Sequence, residues 1–252
     1  MHIIALSNNK GGSGKTSTTV NLAAAFGERR LRVLVVDLDP QGSATDWIGA
    51  GKSSSGLVEF SEGGIRVGKL VVPSTAPGVD LVPASASLVP LGESSPNETG
   101  FAIVRAFARL PDYWDLVLVD TPPTLGYLSL APLVASDRVL IPVEGHALGL
   151  GGVASVMESM QRAKRRVNPR LELLGIVAAR VNSTNHSSEV VAMLRERFGA
   201  AVLDQTVRDG VRVAEAPAFR LPITRYAKAS AVADDYRAVA AELLMRLGGL
   251  SS

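Results

Sequence analysis

Short apolar runs alternate along this chain with longer segments in which apolar residues recur at the helical period. The apolar runs predict strands at Ile3–Ser7, Arg32–Asp37, Val79–Pro83, Leu116–Asp120, Arg138–Val143 and Leu173–Ala179. The periodic segments predict helices at Lys15–Arg29, Asn97–Leu110, Leu125–Ala135, Leu150–Val167, Ser187–Phe198 and Ala231–Leu247. Four of the strands are almost entirely apolar, as expected when helices cover both faces of a sheet. The pattern predicts an α/β fold with a doubly wound, mostly parallel sheet.

The organisation of the chain favours one domain. Residues 50–96 are rich in Gly, Ser and Pro and show weak periodicity, which indicates an elaborated surface excursion and not a second domain. No internal repeat or linker divides the 252 residues, and the 46% of hydrophobic residues suits a sizeable core. We therefore expect a single domain over residues 1–252.

Composition excludes several classes of protein. The chain has no cysteine, which excludes disulfides, thiolate metal sites and iron–sulfur clusters. The N-terminal run Met1–Leu6 reads as a strand and lacks the organisation of a signal peptide. No apolar stretch reaches about 18 residues without a charge or a breaker, so no membrane span is expected. These features predict a cytoplasmic protein.

The first predicted strand runs directly into a glycine-rich loop, Lys10-Gly11-Gly12-Ser13-Gly14-Lys15-Thr16, and a helix follows. Glycines let backbone N–H groups converge on phosphate oxygens, and the helix N-terminus presents its dipole to the same anion. Lys15 would reach the β- and γ-phosphates, and the Thr16 hydroxyl would ligate Mg²⁺. The strand–loop–helix order therefore predicts a P-loop that binds ATP and Mg²⁺. The predicted nucleotide contacts are Lys10, Gly11, Gly12, Ser13, Gly14, Lys15, Thr16 and Ser17.

This loop departs from the general pattern G-x-x-x-x-G-K-[ST] in two ways. The first glycine is replaced by Asn9, a residue that also tolerates left-handed backbone, and a second lysine, Lys10, lies inside the loop. The loop resembles that of the deviant-Walker ATPases, K-G-G-x-G-K-[ST]. The resemblance implies that Lys10 crosses a dimer interface to the partner's nucleotide, so that two subunits sandwich two nucleotides.

Two acids end the second predicted strand. Alternation puts Asp37 and Asp39 on the same side of the chain, at the edge where parallel sheets bind ligands. Two carboxylates there repel each other unless a metal or a bound water separates them. We expect Asp39 to orient the attacking water and Asp37 to hold the water shell of the metal. A turn or helix cap is the alternative, because Pro40 and Gly42 follow.

A third motif follows the apolar strand Leu116–Asp120. Its terminal Asp120 would accept hydrogen bonds from a metal-bound water, as in a Walker B strand. The rigid turn Thr121-Pro122-Pro123 suits a switch segment that senses the γ-phosphate. The metal site is therefore predicted at Thr16, Asp37 and Asp120.

With these motifs in place, the chain resembles the ParA family, and in particular its short Soj-type members. The segment Val211–Ile223 reads V-R-V-A-E-A-P-A-F-R-L-P-I, close to the family pattern V-R-L-S-E-A-P-S-F-G-K-P-I. The resemblance implies an ATP-dependent homodimer that binds double-stranded DNA without sequence preference. It further implies slow ATP hydrolysis stimulated by a ParB-like partner, which drives plasmid or chromosome partition over the nucleoid.

Carried over by position, the resemblance implies catalytic roles for Lys10, Lys15 and Asp39 and a DNA contact at Arg212. A second arginine of Soj-type proteins falls near Ser183–Thr184, where this sequence has no basic residue. Arg180 lies nearby in the sequence, and a basic run could substitute for the missing arginine: Lys164, Arg165, Arg166 and Arg170. Asn182 is expected to hydrogen-bond adenine, as in related ATPases.

The charge distribution agrees with a polyanion-binding C-terminal half. Residues 1–150 carry 11 Lys and Arg against 14 Asp and Glu, whereas residues 151–252 carry 15 against 10. The alternative is an ordinary solvated surface, since cations at a helix end are also favoured by the helix dipole.

Three other functions stay open at this stage. A MinD-like membrane-cycling ATPase shares the loop, but such proteins end in a basic amphipathic helix, and the last ten residues here hold one cation. ParA-like positioning of a protein cargo would use the same nucleotide chemistry. An amide-ligase branch of the superfamily would require a substrate pocket that the sequence does not identify.

Overall fold

The computed structural model describes residues 1–49, 56–93, 101–123, 126–145 and 150–249. Within these ranges seven strands form one sheet: β1 (His2–Leu6), β2 (Val33–Asp37), β3 (Val72–Pro73), β4 (Val79–Val82), β5 (Leu116–Asp120), β6 (Arg138–Glu144) and β7 (Glu172–Ala179). Their order across the sheet is β3-β4-β2-β5-β1-β6-β7. Every neighbouring pair is parallel except β3 and β4. The predicted mostly parallel sheet is confirmed.

The helices of the described residues fall between these strands. They are α1 (Lys15–Glu28), α2 (Ser43–Trp47), α3 (Leu57–Ser61), α4 (Val67–Leu70), α5 (Leu88–Glu93), α6 (Ala102–Arg109), α7 (Tyr127–Ala135), α8 (Leu150–Arg166), α9 (Asn185–Phe198), α10 (Val211–Glu215), α11 (Ile223–Tyr226) and α12 (Ala231–Arg246). All six predicted helices are present, although the predicted starts at Asn97 and Leu125 lie outside the described residues. No described helix combines the length and the hydropathy needed to cross a bilayer.

Helices cover both faces of the sheet, which makes it doubly wound. On one face, Phe26 of α1 and Val239 of α12 pack in the same buried cluster as Val35 of β2. The next residue, Val36, points to the opposite face and packs with Ile103 of α6. Full burial of a side chain as large as Phe26 stabilises the fold by about 2–3 kcal/mol relative to its exposure. The covered faces explain why the central strands read as continuous apolar runs.

The stretch from residue 50 to 96 is more deeply packed than its composition indicates. Leu57, Phe60, Leu70 and Leu88 are all buried, in the same cluster as the core of β2. The expectation of a surface excursion was therefore wrong for the described part of this stretch. Its helices have four to six residues each, fewer than two turns, so the helical period had no room to show in the sequence.

The sheet order brings the predicted motifs to one edge. Strand β1 lies between β5 and β6, and the glycine-rich loop follows it. The register pairs Leu6 with Asp120 and Asp37 with Asp120 across adjacent strands. In open α/β sheets, ligands bind outside the carboxyl ends of the strands, where the chain order reverses. Both carboxylates and the loop occupy that position.

Candidate functional site

The glycine-rich loop adopts a backbone that only glycine enters without strain. Gly12 and Gly14 have φ values of 77° and 82°, in the left-handed region, and α1 begins immediately afterwards at Lys15. A Cβ built on Gly11 would meet no protein atom within 4 Å. The loop therefore has open space in front of its backbone N–H groups, next to the N-terminus of a 14-residue helix.

Lys15 lies inside this loop. Its side chain is buried, and its Nζ donates a hydrogen bond to the Asn8 carbonyl at 2.9 Å. Burial lowers the pKa of Lys15, while the carboxylates of Asp120 and Asp39 act in the opposite direction. An anion bound in the loop would be a negatively charged partner for this buried ammonium group.

Lys10 lies at the outer side of the loop, where its side chain is 46% exposed. Its Nζ is 3.9 Å from Oε2 of Glu144, and Oε1 of Glu144 accepts a hydrogen bond from Arg180 at 2.6 Å. Arg180 also pairs with Asp209 at 3.4 Å. Glu144 was not predicted from the sequence, although it has the feature that identified Asp37 and Asp120: an acid at the carboxyl end of an apolar strand.

Asp37 is buried and hydrogen-bonded on both oxygens. Oδ2 accepts from the backbone N and the hydroxyl of Thr45 at 2.8 and 2.7 Å, and Oδ1 accepts from the Asp39 N at 3.1 Å. Burial raises the pKa of Asp37, and the hydrogen bonds from Thr45 oppose the rise. Asp37 thereby ties the start of α2 to the end of β2.

Asp120 is fully buried, and only one of its two carboxylate oxygens accepts a hydrogen bond within the described part of the chain. Oδ1 accepts a hydrogen bond from the Thr19 hydroxyl at 3.4 Å, whereas Oδ2 has no hydrogen-bond partner among the described residues. Burial and then repulsion by Asp37 raise the pKa of Asp120 to about 8, while the nearby Thr16 hydroxyl and the Lys15 ammonium group act in the opposite direction. A buried polar atom without a partner requires an explanation, and a metal-bound water is the ligand that a Walker B carboxylate accepts from.

Asp39 has features of both roles that the sequence left open, a turn former and a residue that orients the attacking water. Its Oδ1 accepts from the Gln41 N at 2.9 Å, so the carboxylate does form a turn. The same residue is half-buried and lines the cavity in front of the loop. Its role in orienting water stays a prediction.

The segment after Asp120 is held in place at its first residue. The Thr121 hydroxyl donates to the Leu6 carbonyl at 2.7 Å, and Pro123 lines the cavity. Residues 124–125 are outside the described ranges. The proposed sensing of a γ-phosphate by this turn stays a prediction.

A cavity of about 480 Å³ opens in front of the loop. One side is formed by residues 11–17 with Asp39 and Trp47, and the other by Arg180, residues 207–210 and Val213. Asn182, the predicted adenine contact, is not among the lining residues; its Oδ1 accepts from Ser187 and Thr184 at the start of α9. The adenine contact at Asn182 stays a prediction, and the contribution of residues 207–210 to the cavity lining was not predicted from the sequence.

The predicted metal ligands suit an ion that arrives with phosphate. Within the described ranges, no group of three or more His, Asp or Glu side chains could hold a metal ion. Mg²⁺ is typically held by one or two carboxylates together with waters and substrate phosphates. The cluster of Thr16, Asp37 and Asp120 fits that mode, because the loop beside it can hold the phosphates.

The predicted DNA contacts lie at two ends of the molecule. Arg212 is exposed in α10, 3.4 Å from Glu215, and the next residue, Val213, lines the nucleotide-facing cavity. The basic run Lys164, Arg165 and Arg166 is exposed in the last turn of α8, close to the first residue of β7. Because β7 has eight residues, roughly 25 Å of sheet separates this run from the edge that carries the loop.

Comparisons with known proteins agree with this geometry. The family model described as an AAA domain matches residues 1–173. The chromosome-partitioning ATPase Soj of Thermus thermophilus is 38% identical over 245 residues, which are 97% of this chain and 96% of that protein. The chromosome partitioning protein ParA of Caulobacter vibrioides is 32% identical over 253 residues, with 98% and 95% covered.

A solved structure extends the comparison to a protein with nucleotide bound. Cobyrinic acid a,c-diamide synthase from Mycobacterium smegmatis, with bound ADP and magnesium, superposes with a TM-score of 0.83 at 29% identity and covers 98% of this chain and 96% of its own. Together with the glycine-rich loop and the two strand-end carboxylates, the matches to relatives over nearly the full chain establish the classification. The chain belongs to the ParA and Soj family of P-loop ATPases.

Proposed function

We propose that the chain binds ATP and Mg²⁺ at the glycine-rich loop and hydrolyses the nucleotide slowly. The observation that carries this proposal is the half-satisfied, buried Asp120 beside Lys15, at the end of the sheet where the loop opens. In this role Lys15 and the backbone of residues 11–17 bind the phosphates, and Asp39 orients the attacking water. Mg²⁺, when bound near Thr16, Asp37 and Asp120, neutralises negative charge on the phosphate oxygens.

The active form is an ATP-dependent homodimer in which Lys10 contacts the nucleotide of the partner subunit. Support comes from the position of Lys10 on the outer side of the loop, where it is half-exposed and pairs with Glu144 only at 3.9 Å. A lysine so placed can exchange one carboxylate for a phosphate across an interface without leaving an unpaired buried charge.

The dimer binds double-stranded DNA without sequence preference. Arg212 is the proposed contact at the nucleotide end of the molecule, and the run Lys164, Arg165 and Arg166 is a second, separate contact at the opposite end of the sheet. None of the hydrogen bonds or ion pairs of the described residues involves the three side chains of that run, so their charges are available to phosphates.

The proposed output is partition of a plasmid or chromosome by a cytoplasmic, nucleoid-associated ATPase whose hydrolysis a ParB-like protein stimulates. The identity to Soj and ParA supports this reading. Positioning of a protein cargo and MinD-like membrane cycling are the alternatives. Binding of the ATP form to duplex DNA but not to anionic lipid vesicles would separate partition from membrane cycling.

A two-lysine experiment tests the proposal. Lys15→Ala should abolish ATP binding, because it removes the ammonium group at the phosphates. Lys10→Ala should keep ATP binding in the monomer and lose the ATP-dependent dimer. Nucleotide affinity and sedimentation with a non-hydrolysable ATP analogue are the measurements, and Lys228→Ala, an exposed lysine of the C-terminal half, is the control. Normal dimerisation of Lys10→Ala would contradict the sandwich arrangement.

A further inference from the structure

Trp47 stands between the carboxylates of the nucleotide site and the segment that carries Arg212. It is the last residue of α2, its side chain is buried, and it lines the cavity in front of the loop. Its Nε1 donates a hydrogen bond of 2.8 Å to the Leu221 carbonyl, 174 residues further along the chain. One side chain thus touches the nucleotide cavity and binds the C-terminal segment.

The middle residue of α2, Thr45, is bound to Asp37. Both the backbone N and the hydroxyl of Thr45 donate to Oδ2 of that carboxylate. Thr45 precedes Trp47 by two residues, roughly 3 Å along the helix axis, so a change at the Asp37 carboxylate reaches Trp47 within less than one helical turn. Any ligand that redirects Asp37 toward a metal-bound water competes with these hydrogen bonds.

The segment that receives the Trp47 hydrogen bond is also held by local backbone bonds, from Arg220 N to the Pro217 carbonyl at 3.0 Å and from Leu221 N to the Ala216 carbonyl at 3.3 Å. The Arg220 carbonyl accepts from the Thr75 hydroxyl at 2.7 Å, and the Ile223 N donates to Oδ1 of Asn21, in α1, at 2.7 Å. Arg220 itself has a φ of 54°, a left-handed conformation that a non-glycine residue adopts only when its surroundings impose it. Arg220 is the C-cap of the short 3-10 helix Ala216–Phe219, and the bond from Trp47 holds the residue that follows it.

The same segment leads back to Arg212 through side-chain contacts. Phe219 stacks on Tyr226 with ring centroids 4.8 Å apart. The Tyr226 hydroxyl donates to Oε2 of Glu215 at 3.0 Å, and that oxygen is 3.4 Å from the Arg212 guanidinium. The placement of the Leu221 segment therefore influences where the Arg212 side chain lies.

We propose that Trp47 is a positioning residue that couples nucleotide binding at the cavity to DNA binding at Arg212. The proposal rests on the proposed function and adds a route within one subunit, separate from the pairing of two subunits. Coupling between two ligands is reciprocal, so DNA must raise the affinity for ATP by the same factor by which ATP raises the affinity for DNA. Loss of the Trp47 hydrogen bond should reduce both factors equally.

The first experiment measures that factor in Trp47→Phe, which keeps an aromatic ring in the core and removes the donor. DNA affinity is determined by fluorescence anisotropy at saturating ATP analogue and at saturating ADP, so that a change in nucleotide affinity does not enter the ratio. We expect the ratio to fall by about fivefold, the effect of one neutral hydrogen bond. An unchanged ratio would overturn the proposal.

Two matched variants separate coupling from general damage. Thr75→Val removes the neighbouring bond to Arg220 from a residue outside the cavity lining, and Trp114→Phe removes the equivalent indole bond to Asp80. Both should keep the parental ratio. An equal fall of the ratio in Thr75→Val would show that any loosening of the segment has this effect, and would overturn the specific role of Trp47.

A second experiment monitors the surroundings of Trp47 directly by its fluorescence emission. The chain has two tryptophans, so in Trp114→Phe the indole of Trp47 is the only one that fluoresces. Addition of duplex DNA to the ATP-bound form should shift this emission, and Arg212→Glu should abolish the shift. Absence of a shift at saturating DNA would contradict the coupling. Equal DNA binding by the parent protein with ATP and with ADP would contradict the proposed function as well as the coupling. ATP-dependent DNA binding without an emission shift would contradict the coupling alone.

Discussion

The buried carboxyl of Asp120 should make the nucleotide-free protein less stable than a variant without it. Folding raises the pKa of this group from 3.8 to about 8, first because burial disfavours the charge and then because Asp37 is adjacent. The folded chain therefore binds a proton that the unfolded chain releases above pH 4. Stability falls as pH rises between these two values, since the folded state binds more protons there.

The magnitude follows from the pH interval. At pH 7 the group lies about three pH units above its unfolded pKa, which corresponds to about 4 kcal/mol of lost stability. Asp120→Asn removes the ionisation but leaves a buried amide whose N–H groups need acceptors, at a cost of about 1–3 kcal/mol. We expect a net gain of about 2 kcal/mol at pH 7 and above, equivalent to roughly 4–8 °C in melting temperature for a chain of this size. Near pH 4 the gain should turn into a loss of about 1–2 kcal/mol, because only the cost of the buried amide remains.

Urea unfolding of the nucleotide-free protein at pH 5, 6, 7 and 8 tests this reasoning. The control is Asp115→Asn, in the residue before β5, where Arg32 donates to the carboxylate and holds its pKa below the usual value. Removing that carboxylate should lower stability at neutral pH, the opposite sign. With Mg²⁺ and ATP the order should reverse, and the parent should gain more stability than Asp120→Asn. A variant that is less stable than the parent at pH 8 without nucleotide would refute the argument.

Two further predictions concern turnover and DNA. Asp39→Ala should trap the ATP-bound dimer and reduce phosphate release by about a hundredfold or more, because the orientation of the attacking water matters in the transition state. The control is Asp46→Ala, which removes an exposed acid of α2. If Asp39→Ala hydrolysed ATP at the parental rate, Asp39 would be a turn residue only. Arg212→Glu should weaken binding to all duplexes alike and flatten the salt dependence by about 0.9 for each DNA phosphate that the variant no longer neutralises, with ATP binding intact. Arg166→Glu should act independently of Arg212→Glu, because the two sites lie at opposite ends of the sheet; strongly non-additive effects in an anisotropy salt series would contradict that separation.

Prediction from the sequence succeeded where a pattern had enough residues to show its period. Helix α1 and helix α12 span 14 and 16 residues, and their predicted bounds differ from the structure by one residue. Strand β3 has two residues and α3 has five, which are too few for either period to be distinguished from chance. For that reason the packed segment after residue 56 was taken for a surface excursion.

The site shows the same division between local and long-range information. The loop, Asp37 and Asp120 follow from local motifs at strand ends. Thr45 is also local, but its bond to Asp37 depends on the turn geometry that α2 adopts, which no motif describes. The bond from Trp47 to Leu221 joins segments 174 residues apart, so only the tertiary fold defines it. Single-domain organisation over residues 1–252 stays a prediction.

The position of α10 bears on how ATP and DNA binding are connected. Val213 and Ala214 line the nucleotide cavity, while Arg212, in the same five-residue helix, is exposed. A nucleotide that moves one side of so short a helix also moves the other, since the helix has little more than one turn. The proposed dimer would double the number of arginines offered to DNA, whereas a nucleotide in contact with α10 would change the placement of each arginine. As proposed, the two contributions are separable, because Lys10→Ala would affect only the pairing of two subunits and Trp47→Phe only the coupling within one subunit.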